Sequence, residues 1–351
     1  MANPSLQIGN SNWAIKEDNL LGYSTAGTRF VPQPITMTRA SAGTRVNSSG
    51  LVETVELLGS EEVTDGNFPL PNTNWILGGS GSNTPTIGTN DVAINSVDGN
   101  SFIQQSGILT SGKYYKITYD VISASATSNV LKLASSFGLG SIPTSVGTQV
   151  VYGTASTSTF YIERYTNGVN ATITNISVKE STKNNLARVD YDGTASSLLA
   201  EPMRTNLLPY SEDLSQWNTK QATETLNYGI SPDGTQNSTR LVFASSNLQF
   251  SNTLSTGSVT SGSIYAKGVS GETITFGLKS SESTFTFNGL WQRLEVQGTA
   301  TSNKITVNTY GGVTARDFEV WGGQIEEGSY ATSYIPTDGS TVTRVQDQYS
   351  K

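Results

Sequence analysis

The 351-residue chain contains no cysteine and no histidine. Together these absences exclude disulfides, thiolate nucleophiles, Cys/His zinc sites and any acid–base role for imidazole. Charge is scarce, with only 14% of residues ionisable as Asp, Glu, Lys or Arg, and no Lys/Arg-rich stretch is present. With a formal charge of −7 and a pI near 4.8, nothing supplies the phosphate-neutralising surface that nucleic-acid binding requires. No apolar run approaches the roughly 20 residues of a membrane-spanning helix. The first residues are polar and acidic where a secretory signal needs a basic start and an apolar stretch. The expectation is a protein made in a cytoplasm, without membrane insertion, whose composition is nonetheless that of an extracellular surface.

What is present suits short strands joined by turns. Gly (35 residues), Ser, Thr and Asn are abundant, while 15 Tyr and 5 Trp supply large apolar side chains, a balance that favours β-structure over long helices. The length calls for two domains of ordinary size rather than one core.

Residues 1–59 read as an attachment segment of short strands, with Trp13 and Tyr23 as anchors onto another molecule. A first module is expected over 60–181. It opens with Glu62-Val-Thr-Asp-Gly-Asn-Phe68 and Trp75, continues in Lys113-Tyr-Tyr-Lys-Ile-Thr-Tyr-Asp-Val121, and closes through Thr159-Phe-Tyr-Ile-Glu163, an Asn167-Gly168 turn and Ala171-Thr-Ile-Thr-Asn-Ile-Ser-Val-Lys179. Alternation with period two predicts half-buried strands, and Asn-Gly between strands predicts a hairpin. A second module over 204–336 repeats this grammar in different letters. Its opening ends at Trp217, its middle strand is Gly262-Ser-Ile-Tyr-Ala-Lys267, and it closes with Ala315-Arg-Asp-Phe-Glu-Val-Trp-Gly-Gly-Gln-Ile-Glu326.

This pattern reads as a tandem duplication. The fold expected is all-β, two tandem antiparallel jelly-roll-like β-sandwiches, and no blade-length repeat suggests a propeller. Residues 182–203 are expected to be linker strands that pair back to the 38–55 region and frame the first module as an insertion. Residues 337–351 read as a C-terminal tail.

Three strings are more specific than composition. They are Thr38-Arg-Ala-Ser-Ala-Gly-Thr-Arg-Val-Asn-Ser-Ser-Gly-Leu-Val-Glu53, Leu199-Ala-Glu-Pro-Met-Arg-Thr-Asn-Leu-Leu-Pro-Tyr-Ser-Glu-Asp213 and Gly322-Gly-Gln-Ile-Glu-Glu-Gly-Ser-Tyr-Ala-Thr-Ser-Tyr-Ile-Pro-Thr337. Together they resemble the framework of tailed-bacteriophage tail and head-fibre proteins, a group that commonly carries carbohydrate-binding or lectin-like sandwiches. The resemblance implies a structural or adhesive virion protein on the particle surface, as a head fibre or decoration. It would dock to capsid or tail proteins through residues 1–59, assemble as a symmetric homo-oligomer, often a trimer, and bind host or environmental glycans. A receptor-binding tail fibre and a polysaccharide depolymerase are the alternatives, and a bacterial adhesin is weakened by the absent export signal. Asn175-Ile-Ser-Val-Lys-Glu180 also resembles the last strand of carbohydrate-binding modules, where a preceding Asp commonly helps hold a structural calcium. Here Thr174 and Asn175 stand in that place.

Carboxylate pairs are the catalytic option the composition leaves, because glycosidases set two carboxyls roughly 5–9.5 Å apart across a cleft. Glu61-Glu62 and Glu326-Glu327 would point to opposite faces on strands, and the Ser/Thr-rich strands have no base to activate a hydroxyl. No catalytic residue is assigned, and a non-enzymatic role is expected. Trp75, Trp217 and Trp291 are the candidates for stacking on sugar rings, which needs a flat apolar face beside polar groups. Trp75 and Trp217 hold matching places in their modules and equally suit core positions. For calcium, Asp317 lies where related sandwiches put a ligand, and Glu212 or Asp213 would reach it if first and last strands are neighbours. A strand-edge role for Asp317 is the competing reading. Arg39, Arg188 and Arg204 are expected to fix the frame through guanidinium–carboxylate pairs with Glu201 or Asp190.

Overall fold

A computed structural model describes residues 5–6, 14–16, 19–21, 32–79, 81–125, 130–165, 168–193, 195–246, 248–253, 261–278, 281–298, 304–309 and 315–350. Trp13, Tyr23 and Asn167 of the expected turn lie outside them. The chain divides into two compact units, one of Leu57–Thr182, called inner for its place in the sequence, and one of Met1–Glu56 with Lys183–Lys351, which flanks it in sequence and is called outer.

Among the described residues, ten strands build the inner sandwich: β1 (Ile76–Gly79), β2 (Thr86–Ile87), β3 (Val92–Ser96), β4 (Ser101–Gln105), β5 (Tyr114–Ala124), β6 (Leu131–Leu133), β7 (Leu139–Ile142), β8 (Gly147–Thr154), β9 (Phe160–Arg164) and β10 (Val169–Thr182). One sheet runs β8-β5-β10-β3-β2 and the other β7-β6-β9-β4-β1, and every pairing is antiparallel. The strand Leu57–Glu61 pairs with the end of β10, placing Leu57 opposite Thr182. Because side chains alternate along a strand, β5 sends Tyr115, Ile117, Tyr119 and Val121 inward. They meet Ile103, Leu131, Phe160 and Ile162 from the facing sheet in one core.

Ten further strands build the sandwich of the outer unit: β11 (Thr219–Lys220), β12 (Thr223–Thr225), β13 (Thr239–Phe243), β14 (Gln249–Thr253), β15 (Ser261–Gly268), β16 (Thr273–Leu278), β17 (Ser281–Thr286), β18 (Gln292–Gln297), β19 (Lys304–Asn308) and β20 (Arg316–Glu326). Its sheets run β18-β15-β20-β13-β12 and β17-β16-β19-β14-β11. Adding ten to each label of the inner sandwich reproduces both orders, so the ten labelled strands of each sandwich share one topology, to which Leu57–Glu61 adds an edge strand in the inner one. They share a defect too. Register breaks between Thr118 and Asp120 of β5, and between Ser263 and Tyr265 of β15. Opposite each break the last strand carries a positive-φ residue, Asn175 (φ 50°) in β10 and Gly322 (φ 65°) in β20. Glycine enters that region freely and Asn at modest cost. The backbone bulge therefore accounts for the positive φ of Asn175, whose amide donates to Asp120 Oδ2 at 2.7 Å.

The rest of the outer unit departs from the expected frame. Val189–Asp192 pairs with Ala195–Leu199, which pairs with Ser5–Leu6, while Thr44–Val46 pairs with Val52–Thr54. The 38–55 and 182–203 regions meet through individual bonds, not a ladder. Val46 N–H donates to Asp190 Oδ1 (2.6 Å), Arg39 N–H to Asn185 Oδ1 (2.9 Å), and Asn185 N–H to the Arg39 carbonyl (2.8 Å). Residues 337–350 are no tail, because two short strands in them pair with other strands of the same unit. Val342–Arg344 pairs with Arg204–Asn206, and Gln348–Ser350 with Pro32–Thr38. Nor do residues 36–55 stand apart from a core. Met37 packs with Ala187, Val189 and Leu198, and Val52 with Tyr265, Trp321 and Tyr334.

Candidate functional site

The expected frame residues Arg39, Arg188 and Glu201 do meet, in a buried ion cluster of the outer unit whose other members are Arg344, Asp347 and Ser333. Arg188 Nη2 donates to Glu201 (2.8 Å) and to Asp347, Arg39 Nη1 to Asp347 (2.8 Å), and Arg344 Nη1 lies 3.0 Å from Glu201. The Ser333 hydroxyl donates to Glu201 (2.7 Å) and accepts from Arg344 (2.7 Å). Every charged side chain here is at most 2% exposed. Burial alone would raise the Glu201 pKa, but Arg188 and Arg344 outweigh it and hold the carboxyl at about 2. Arg204 is not a member. It lies over the Tyr330 ring at 5.5 Å and donates to the Met203 carbonyl. The strand carrying it brings Arg344 in its stead, since the two are register partners.

The tryptophans are engaged elsewhere. Trp75 is buried against Phe68 (5.2 Å) and Phe160 (6.2 Å), with its Nε1–H donated to the Asp65 carbonyl. Trp217 is buried against Phe250 (5.7 Å) and donates to the Tyr210 carbonyl. Neither presents a face to a sugar, which corrects that expectation: a large apolar ring at the start of each sandwich is used to close its core. Trp291 packs on the cluster of Val52, Tyr265, Trp321 and Tyr334, donates to the Ile230 carbonyl and carries Lys267 Nζ 5.9 Å above its ring.

The calcium candidates are likewise separately employed. Asp317 is exposed and accepts both Nε–H (2.7 Å) and Nη2–H of Arg240, the strand partner of Glu319. This hydrogen bonding lowers its pKa. Glu212 accepts from Tyr334 Oη–H (2.9 Å) and Asn237 (3.2 Å), and burial pushes its pKa up. Asp213 caps the short turn Leu214–Gln216 through Ser215 N–H. Among the described residues no group of three or more carboxylates is placed to hold a metal ion.

A different site lies on the outer face of the inner sandwich's β7-β6-β9-β4-β1 sheet. Ile103, Phe160, Ile162, Leu131 and Leu133 point into the core, so the intervening residues Phe102 and Gln104 of β4, Tyr161 and Glu163 of β9, and Lys132 of β6 point out. Register sets Phe102 opposite Glu163, Gln104 opposite Tyr161, and Lys132 opposite Glu163. The Phe102 and Tyr161 rings meet edge-on, 5.7 Å apart at 61°. Gly78 of β1 makes room for this. A Cβ there would fall 1.9 Å from Phe102 Cζ.

Phe102, Tyr161, Glu163 and Lys132 line a cleft of about 400 Å³ together with Asn100, Ser101, Ser135, Thr157, Arg164 and Tyr165. Glu163 accepts from Ser135 N–H (3.0 Å) and sits 3.8 Å from Lys132 Nζ, and Arg164 donates to Asn100 Oδ1 (3.3 Å). The arrangement combines partly exposed aromatic rings with polar donors and acceptors, which is what a sugar ring needs from a protein. Glu163 is the single carboxylate in the lining, whereas glycoside hydrolysis uses two.

The duplicated sandwich lacks this cleft's chemistry. Ile103 faces Ile162 as Phe250 faces Val307, both pairs in the core. The outward pair Gln104–Tyr161 therefore corresponds to Ser251–Thr306, and Phe102–Glu163 to Gln249–Asn308. Sequence reasoning passed over Phe102 and Tyr161 in favour of tryptophan. The available signal was the alternation of Ser101–Gln105 and Phe160–Arg164, each with one aromatic out of phase with its buried neighbours.

No family model matches the sequence, and no curated protein matches it. Among solved structures the chain is similar to the CBM22-1-CBM22-2 tandem domain of Paenibacillus barcinonensis Xyn10C, at 11% identity and a TM-score of 0.25, over 77% of this chain and 98% of that one. It is also similar to the M60 catalytic domain with the CBM51-1 and CBM51-2 domains of Clostridium perfringens ZmpB, at 10% identity and a TM-score of 0.20, over 90% of this chain and 43% of that one. Superpositions of that quality assign nothing by themselves. The tandem-sandwich fold stands on the two matching strand orders.

Proposed function

We propose that the protein is a non-catalytic virion surface component, a head fibre or decoration protein, that binds glycans through the Phe102–Tyr161 cleft. The observation that carries the binding reading is that cleft: two partly exposed rings beside Lys132, Glu163, Arg164 and Asn100 on one open sheet face. The virion placement rests on the resemblance of the 38–53, 199–213 and 322–337 strings to tailed-phage fibre proteins. Symmetric copies, as in a trimer, would turn a weak single-site affinity into useful avidity.

Binding is tested on a glycan array with the full chain and with Phe102→Ala and Tyr161→Ala. Both rings are outward-facing, so the variants keep their circular dichroism and melting behaviour while any glycan signal drops by about fivefold or more, in line with the roughly 1–3 kcal/mol that alanine substitution of a stacking ring costs. An array without hits sinks the glycan reading. Placement is tested by gold-labelled antibody on intact particles. Label over the capsid supports the head assignment, label at the tail tip moves the protein to receptor binding, and unlabelled particles reject a virion role.

A further inference from the structure

The cleft's charge differs in sign from that of the chain. Its lining carries Lys132 and Arg164 against Glu163 alone, one positive charge in excess, on a protein whose formal charge is −7. Glu163 is already tied down by Ser135 N–H and by Lys132. It therefore acts as an internal counter-charge that holds the β6 side chain in place. Lys132 Nζ stands 3.8 Å away, beyond ordinary hydrogen-bond length, with a third of its side chain exposed. Arg164, next to Glu163 in sequence, lines the same cleft, and its guanidinium donates to Asn100 Oδ1 at 3.3 Å. Phe102, opposite Glu163, sets the apolar platform one strand away.

We propose, building on the glycan-binding reading above, that this cleft selects acidic sugars of the uronic acid class. A pyranose stacked on one of the two edge-on rings, Phe102 or Tyr161, carries its C5 carboxylate in the plane of the sugar ring, towards the rim where Lys132 and Arg164 stand. A guanidinium receives such a carboxylate through two parallel N–H···O bonds, roughly twice as strong as neutral ones. A neutral hexose gives the same stacking without that pair. Discrimination comes from the two cations, and the platform supplies affinity common to both kinds of sugar.

The test uses the full chain and two probes of equal length, oligogalacturonate and its carboxyl-reduced counterpart, in titration calorimetry at low and at moderate salt. The expected result is at least about tenfold tighter binding of the uronate, weakened by added salt because the contacts are charged and partly exposed. In Arg164→Gln and Lys132→Gln the uronate should lose more affinity than the reduced probe, so that the preference shrinks towards unity. The second substitution stands in if the first perturbs folding. Equal binding of the two probes overturns the acidic-sugar assignment and leaves the glycan-binding reading intact. Binding of neither probe, together with an array without hits, removes both.

Discussion

Among the residues of the outer unit, Glu201 has the clearest energetic signature. Its pKa of about 2, against an ordinary 4.5, means that the folded state holds the carboxylate more firmly than the unfolded chain does. The stabilisation is complete above pH 4.5 and is lost as pH falls towards 2, an effect of about 3 kcal/mol. Melting temperatures recorded between pH 6 and pH 2.5 should fall for the natural chain. Glu201→Gln should start about 3–5 kcal/mol less stable at neutral pH, because it takes the paired carboxylate from Arg344 and leaves Arg188 with Asp347 alone, and its melting temperature should change less across that range. Arg39, Arg188 and Glu201 were legible in the sequence, because guanidiniums and carboxylates set among polar neighbours in a charge-poor chain invite pairing. Arg344 and Asp347 were not. Asp347 joins Arg39 from 308 positions away, a distance no local pattern spans.

At the scale of elements, alternation made the strands readable and left their pairing hidden. The run Lys113 to Val121 announces one strand from its period alone. That Phe102 and Tyr161 share an outer face follows only from the register of β4 with β9, and rings of that size pull attention less than tryptophan does. Two substitutions probe the elements directly. Gly78→Ala drives a methyl into the Phe102 ring; glycan binding should fall with it, measured on the same array, because the ring must leave its place over β1. Asn175→Val puts a β-branched residue at φ 50° and should cost about 1–2 kcal/mol in chemical denaturation, whereas Asn175→Gly should be close to neutral. A metal-ligand role for Asn175 would instead make the natural chain's stability fall on adding chelator and leave the glycine variant insensitive to it.

For the molecule as a whole, the sequence announced two sandwiches through repeated grammar, but the shared topology emerges only when all ten strands of each are paired. The inner unit has its own core and its two ends are register partners, Leu57 opposite Thr182. A fragment of residues 57–182 should therefore unfold cooperatively by itself. The outer unit, with that segment replaced by a short Gly/Ser linker, should retain its melting transition. A fragment without a thermal transition would show that the division into units is not an energetic one.

Because the inner unit begins and ends at one paired position, a recombination event can remove it, or replace it with another sandwich, without re-routing the surrounding chain. The cleft proposed to meet the glycan belongs to this exchangeable cassette. The buried arginine cluster belongs to the other unit. Grafting another sandwich between Leu57 and Thr182 should then change ligand preference while leaving the outer unit's melting transition as it is.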